Sequence, residues 1–259
     1  MIQIRIIPCL LLQDCGLVKT LKFSKPVYVG DPINAVKIFN EKEVDELIFL
    51  DISRTPGKKP IQFNLIEKIA NESFMPFCYG GGITTIDEIR KLFKSGLEKA
   101  AINTAALSNP EFITQGADKF GSQSIVVSID VKKNLFGKYV VHSQCGKKNT
   151  GKNPVEWAQE AEHHGAGEII INSIDRDGTM MGYDVELVKT VSASVNIPVI
   201  ACGGAGNLSH MSEVLMNTEV SALAAGSMFI FHKSRNAVLI NYPERKELKK
   251  LFIDSGCNG

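Results

Sequence analysis

Pro76-Phe77-Cys78-Tyr79-Gly80-Gly81-Gly82 reads as an apolar strand running into a glycine turn, and Pro198-Val199-Ile200-Ala201-Cys202-Gly203-Gly204 repeats the pattern 122 residues later. Without a gap, the same offset sets Lys99-Ala100-Ala101-Ile102-Asn103-Thr104 on Ser221-Ala222-Leu223-Ala224-Ala225-Gly226, and Glu46 on Glu168. Self-similarity at about half the chain length is the mark of a fold assembled from two copies of one unit. Outward from these copies, β-rich apolar runs occur at 4–11, 45–52, 75–81, 99–104, 124–130, 168–174, 197–204 and 221–227. Amphipathic segments such as TTIDEIRKLFKSG and PVEWAQEAEHHG lie between them. Continuous apolar strands alternating with helices predict an α/β fold, a single (β/α)8 TIM barrel of two similar half-barrels, as one domain over residues 1–259.

Charge and cysteine usage exclude several classes of function. The chain carries 29 basic and 28 acidic residues, a formal charge of +1. No global field therefore draws it to nucleic acid or to an anionic membrane, and any anion must be held locally. Cysteines 9, 15, 78, 145, 202 and 257 form no CxxC pair, so they are expected to be reduced, small core residues of a cytoplasmic protein. The first apolar run is broken by Pro8 and is too short to span a bilayer, and no signal peptide is recognisable. No metal and no cofactor are expected; His163-His164 reads as the cationic end of a helix.

In such a barrel the chemistry sits on the loops after the strands. Gly80-Gly81-Gly82 with Asn103-Thr104 form one candidate phosphate cradle, because bare glycine backbone lets an anion approach N–H groups. The repeat supplies a second at Gly203-Gly204 and Ala225-Gly226, beside the turn Asp177-Gly178-Thr179. Two cradles suggest a small molecule with a phosphate at each end; the alternative is that the glycines only make tight turns. Asp130 closes the fifth run, where a carboxylate serves as general acid or base, or else caps the next loop. Asp51 and Asp175 offer further polar lining, or are equally well structural. Lys147-Lys148-Asn149-Thr150-Gly151 reads as a polar loop able to cover the mouth. At the opposite end, Arg5, Glu46, Lys99 and Glu168 stand at the beginnings of strands. They would form a ring of charge pairs around the axis, either purely stabilising or a gate for a small polar molecule.

The motifs IIPCL, GDP, DELIFLDI, GGGI, INTAA, GSQS, GKKNTG, SIDRDGT, GYD and GGAG, in that order over nearly the whole chain, resemble the HisF family, cyclase subunits of imidazole glycerol phosphate synthase. The resemblance implies a barrel whose bottom face docks a HisH-like glutaminase and whose axis carries ammonia to a bisphosphorylated substrate at the top. It implies ammonia-gate roles for Arg5, Glu46, Lys99 and Glu168. It implies phosphate binding at Gly82, Asn103 and Thr104, and at Asp177, Gly178, Gly203, Gly204, Ala225 and Gly226. Lys19 corresponds to the lysine of a mobile first loop, and Asp130 to one of two catalytic aspartates. The position of the other aspartate holds Leu11, which cannot transfer a proton; Asp14 would substitute only if the strand end were rearranged. This departure, with the stretch from Gly16 to Asp51, resembles HisF paralogues associated with surface-polysaccharide genes. Those imply a conduit that delivers ammonia to a separate sugar amidotransferase, with a working cyclase of histidine biosynthesis as the alternative.

Overall fold

The structure, a computed structural model, describes residues 4–57, 59–232 and 237–257. Eight parallel strands close on themselves: β1 (Arg5–Gln13), β2 (Leu47–Asp51), β3 (Phe77–Gly80), β4 (Lys99–Ile102), β5 (Ile125–Lys133), β6 (Glu168–Ser173), β7 (Val199–Cys202) and β8 (Ala222–Ala225). β1 pairs with both β2 and β8, and β5 with β6, so the sheet has no open edge within the barrel. The principal helices outside it are α1 (Pro32–Glu41), α2 (Phe63–Glu72), α3 (Ile86–Lys94), α4 (Glu111–Phe120), α5 (Pro154–His163), α6 (Val185–Ser192), α7 (Leu208–Asn217) and α8 (Arg245–Asp254). Their starts are written locally: Asp31, Thr85, Asn153, Asp184 and Asn207 each accept a backbone N–H of the first turn.

The period of two along a strand divides the apolar residues between two cores. On β1, Ile6, Leu10 and Leu12 pack outward with the helices, whereas Ile7 and Cys9 turn into the lumen. The lumen is filled by small or β-branched side chains, among them Ile48, Cys78, Ala101, Val126, Ile170, Ile200, Cys202 and Ala224. Each fully buried residue of Ile or Leu size contributes about 1.5–3 kcal/mol, and Ile7, Ile48 and Ile170 are completely buried.

The two halves share a detail that strand patterning did not reveal. After β1 the chain forms the antiparallel hairpin Gly16–Leu21 and Ser24–Gly30, and after β5 it returns antiparallel as Tyr139–Ser143. The eight apolar runs leave these segments out; they are held by pairing to the extended ends of β1 and β5.

Candidate functional site

The loops after the strands enclose one cavity of about 850 Å³. Lys19, Gly82, Asn103, Thr104, Asp130, Asp177, Gly178, Gly203, Gly204, Ala225 and Gly226 all line it. Glycine is required at the cradles: Gly82 has φ +75°, and a Cβ there would lie 2.6 Å from that of Arg54. Gly226 is constrained differently, because a Cβ would lie 2.3 Å from Lys19 Nζ and 2.9 Å from the Cys9 carbonyl oxygen. Asp51 and Lys147 also line the cavity, whereas Asp175 does not. Asp175 turns to an outer groove, where its carboxylate accepts the Lys133 N–H at 2.9 Å. The expectation that Asp175 lines the mouth is therefore corrected.

Asp130 is buried at the centre of one wall. Asn103 Nδ2 donates to its Oδ2 at 2.8 Å and Asn172 Nδ2 to its Oδ1 at 3.4 Å. Burial pushes its carboxyl up to about 7, against the two amide hydrogen bonds and with a further push from the negative charge of Asp177. A carboxyl that titrates near neutrality in a cavity can both take and return a proton.

Strand register identifies the counterpart of Asp130 in the other half. Asp130 pairs with Asn172 on β6 and with His142 of the returning strand. Leu11 pairs with Leu50 on β2 and with Val18 of its own hairpin. Asn172 and Leu50 are themselves 122 residues apart, so the two neighbourhoods correspond. The polar group Asp130, Asn172, His142 thus has an apolar counterpart in Leu11, Leu50, Val18. Of the three consecutive leucines, Leu11 alone lines the cavity. Asp14 does not supply a carboxylate in place of Leu11: it sits in a turn at φ +54° and binds Lys59 Nζ at 2.8 Å. That hydrogen bond holds the Asp14 carboxyl below the usual carboxylate range.

Lys19 is buried, with Nζ donating to the Cys9 carbonyl at 2.9 Å beside Gly226. Burial lowers its pKa, and attraction to Asp177 opposes the fall. Asp177 in turn accepts the Thr20 hydroxyl at 2.7 Å and the Phe23 N–H at 3.2 Å. Its carboxyl is raised by burial despite these bonds. The hairpin after β1 is therefore fastened to the loop after β6, and its lysine is carried into the cavity.

At the far end of the lumen the four predicted charges form a closed ring. Arg5 binds Glu46 through Nη1 and Glu168 through Nη2, while Lys99 Nζ donates to Glu46 at 3.0 Å and to Glu168 at 2.8 Å. Glu46 and Glu168 are almost wholly buried, whereas Arg5 and Lys99 keep some exposure. Burial alone would lower the pKa of both cations, but the two carboxylates outweigh it and raise both.

Sequence reading missed Arg54, a residue with 2% exposure that donates from Nε to Asp51 at 2.7 Å and from Nη1 to the Pro60 carbonyl at 3.1 Å. The signal was present, because the offset of 122 that pairs Gly82 with Gly204 also pairs Arg54 with Arg176. Arg176 packs against Gly204 as Arg54 packs against Gly82. Among the described residues, no cluster of three or more His, Cys, Asp or Glu side chains is placed to hold a metal ion. Among those residues, too, no helix is long and apolar enough to cross a membrane.

Comparison with known proteins agrees with this architecture. The family model described as histidine biosynthesis protein matches residues 5–235. A Pseudomonas aeruginosa protein provisionally named imidazole glycerol phosphate synthase subunit hisF2 is 53% identical over 248 residues, 96% of this chain and 99% of its own length. A Vibrio vulnificus protein provisionally named subunit hisF3 of the same synthase is 46% identical over 252 residues, covering 96% of each chain. The imidazole glycerol phosphate synthase subunit HisF of a Hydrogenobaculum species is 45% identical over 233 residues, 90% of this chain and 92% of its own. A barrel of two half-length copies, matched over nearly its full length by such relatives, belongs to the histidine biosynthesis protein family, among the HisF-type subunits of imidazole glycerol phosphate synthase.

Proposed function

We propose that this chain is the ammonia-conducting subunit of a glutamine-dependent amidotransferase system. In this reading a HisH-like glutaminase docks on the bottom face, ammonia enters through the ring of Arg5, Glu46, Lys99 and Glu168, and the lumen delivers it to the upper cavity. The chemistry of the lumen supports passage of neutral ammonia: an apolar lining with no charged partner penalises ammonium far more than ammonia. Lys99 is the natural moving part of the gate, since it is a single ammonium on a flexible stem, whereas Arg5 holds each glutamate with a separate nitrogen of its planar fork. The cradles hold a phosphorylated small molecule, with Lys19 beside the second. Ammonia then passes to a separate amidotransferase acting on a surface-polysaccharide sugar.

The observation that carries this last step is the apolar group of Leu11, Leu50 and Val18 standing opposite the polar group of Asp130. Ring closure by two carboxylates divides proton transfers between an acid and a base, and here one member is a hydrocarbon. A working histidine-pathway cyclase is the second reading. It is favoured by the intact surroundings of Asp130 and by a carboxyl titrating at about 7, which suits a single residue acting in both roles.

The two readings part in one experiment. The chain is mixed with its glutaminase, glutamine and the bisphosphorylated histidine precursor, and glutamate and imidazole product are measured separately. The conduit reading expects stimulated glutamate release with no imidazole glycerol phosphate. Imidazole formation matching glutamate release refutes it in favour of the cyclase, and failure to bind or stimulate a glutaminase refutes both.

A further inference from the structure

Beside the first cradle lies a cluster of charges that none of the roles above uses. Arg54 is buried, and its three guanidinium nitrogens meet different surroundings: Nε is taken by Asp51 and Nη1 by the Pro60 carbonyl, while Nη2 has no hydrogen-bond partner among the described residues. Nη2 lies 3.7 Å from Asp14 Oδ1, too long for a hydrogen bond. The same oxygen binds Lys59 Nζ at 2.8 Å. Asp14 and Lys59 are both about half exposed and both line the cavity, as do Gly81 and Gly82.

A buried guanidinium with an unmet donor is costly, and its unmet nitrogen faces the place where a single carboxylate oxygen now stands. That carboxylate belongs to a mobile class of contact, a half-exposed ion pair worth about 0–1 kcal/mol. A phosphate dianion brings more charge and several acceptor oxygens, and can bond Arg54 Nη2 and Lys59 Nζ together. The other half of the barrel serves as an internal comparison. Arg176 repeats the packing of Arg54 on its glycine, but the counterpart of Asp51 is Ser173, so Arg176 lacks the carboxylate that fixes Arg54. The first cradle accordingly has a carboxylate-fixed arginine beside it that the second lacks.

We infer that Arg54 and Lys59 form a phosphate subsite beside Gly81-Gly82, occupied in the unliganded protein by the carboxylate of Asp14, which a phosphate group of the cavity's ligand displaces. The inference rests on the reading of the mouth as a site for a phosphorylated small molecule. It adds the residues that select the charge of one end, and it makes Asp14 an internal competitor rather than a proton carrier.

The test is calorimetric titration of inorganic phosphate into the whole chain and into Asp14→Asn, Asp118→Asn and the double variant Asp14→Asn/Lys59→Gln. Asp118 is exposed on α4, away from the mouth, and its substitution makes the same change in net charge as Asp14→Asn. Removal of a competing ion pair of this strength is expected to tighten phosphate binding of Asp14→Asn by about threefold to fivefold. Asp118→Asn is expected to match the wild type, and the added Lys59→Gln to cancel the gain. Equal affinities for Asp14→Asn and Asp118→Asn overturn the competition, and a gain that survives loss of Lys59 overturns the assigned site. Absence of phosphate binding in every form overturns the phosphate reading of the mouth, and the inference with it.

Discussion

Substituting Asp130 by Asn tests the electrostatics of the cavity wall most directly. Burial raises the carboxyl from an ordinary 3.8 to about 7. Between these values the folded protein keeps a proton that the unfolded chain has released. Stability therefore falls as pH rises through this window, is level above about 7, and is fully regained only below the ordinary value. The whole gap amounts to about 4 kcal/mol at 1.36 kcal/mol per pH unit. Asn is close in shape to the neutral acid, so Asp130→Asn should behave as the wild type with this proton permanently bound. Urea unfolding of variant and wild type at pH 5.5 and 8.5 isolates the effect by difference, because titrations common to both proteins cancel. The variant is expected to gain on the wild type by about 2 kcal/mol between those two pH values. In thermal unfolding the same gain corresponds to about 4–8 °C. A difference between variant and wild type that does not change with pH would refute the assignment of a proton near neutrality to Asp130.

The ring of charges makes a second prediction. Lys99→Met leaves Glu46 and Glu168 buried with Arg5 as their sole cation, and about 2–3 kcal/mol of stability should be lost, less than for a fully buried pair because Lys99 is partly exposed. Adding Glu168→Gln should recover part of the loss, and a double-mutant cycle in urea shows whether it does. Gly226→Ala should cost about 1–2 kcal/mol by pressing on the Cys9 carbonyl and displacing Lys19 Nζ. It should also weaken phosphate binding, read by denaturation and calorimetry together. Leu11→Asp places a carboxylate across the mouth from Asp130, and imidazole production rising above the wild-type level is the expected outcome if the rest of the cyclase machinery is retained. No gain from this substitution would mean that other residues of the mouth have diverged as well.

Much of this was readable before any coordinates. Eight apolar runs and the repeat at 122 residues contain the barrel, since a strand buried on both faces must be continuously apolar and a duplicated unit must close on its copy. Six of the observed strands are one to four residues shorter than the runs, whereas β1 and β5 extend beyond them because their hairpins continue the pairing. The cradle residues were legible too, because glycines in register in both halves report a backbone requirement that a single sequence displays.

Side-chain partnership across long separations was legible only in part. The strand beginnings predict that Arg5, Glu46, Lys99 and Glu168 share a ring, but that each cation bridges both glutamates follows only from the strands closing in one register. Lys19 lies in a segment that the family resemblance casts as a mobile first loop, and only the docking of its hairpin on Asp177 carries the side chain into the cavity. Asp14 has the right chemistry and nearly the right position to replace a catalytic carboxylate, yet the fold brings Lys59 and Arg54 to it instead. The residue types, their repeat and their spacing along each strand follow from local chemistry, and the chain displays them. Which charge neutralises which follows from the closed register and the path of the loops, and these are settled only when the whole barrel has formed.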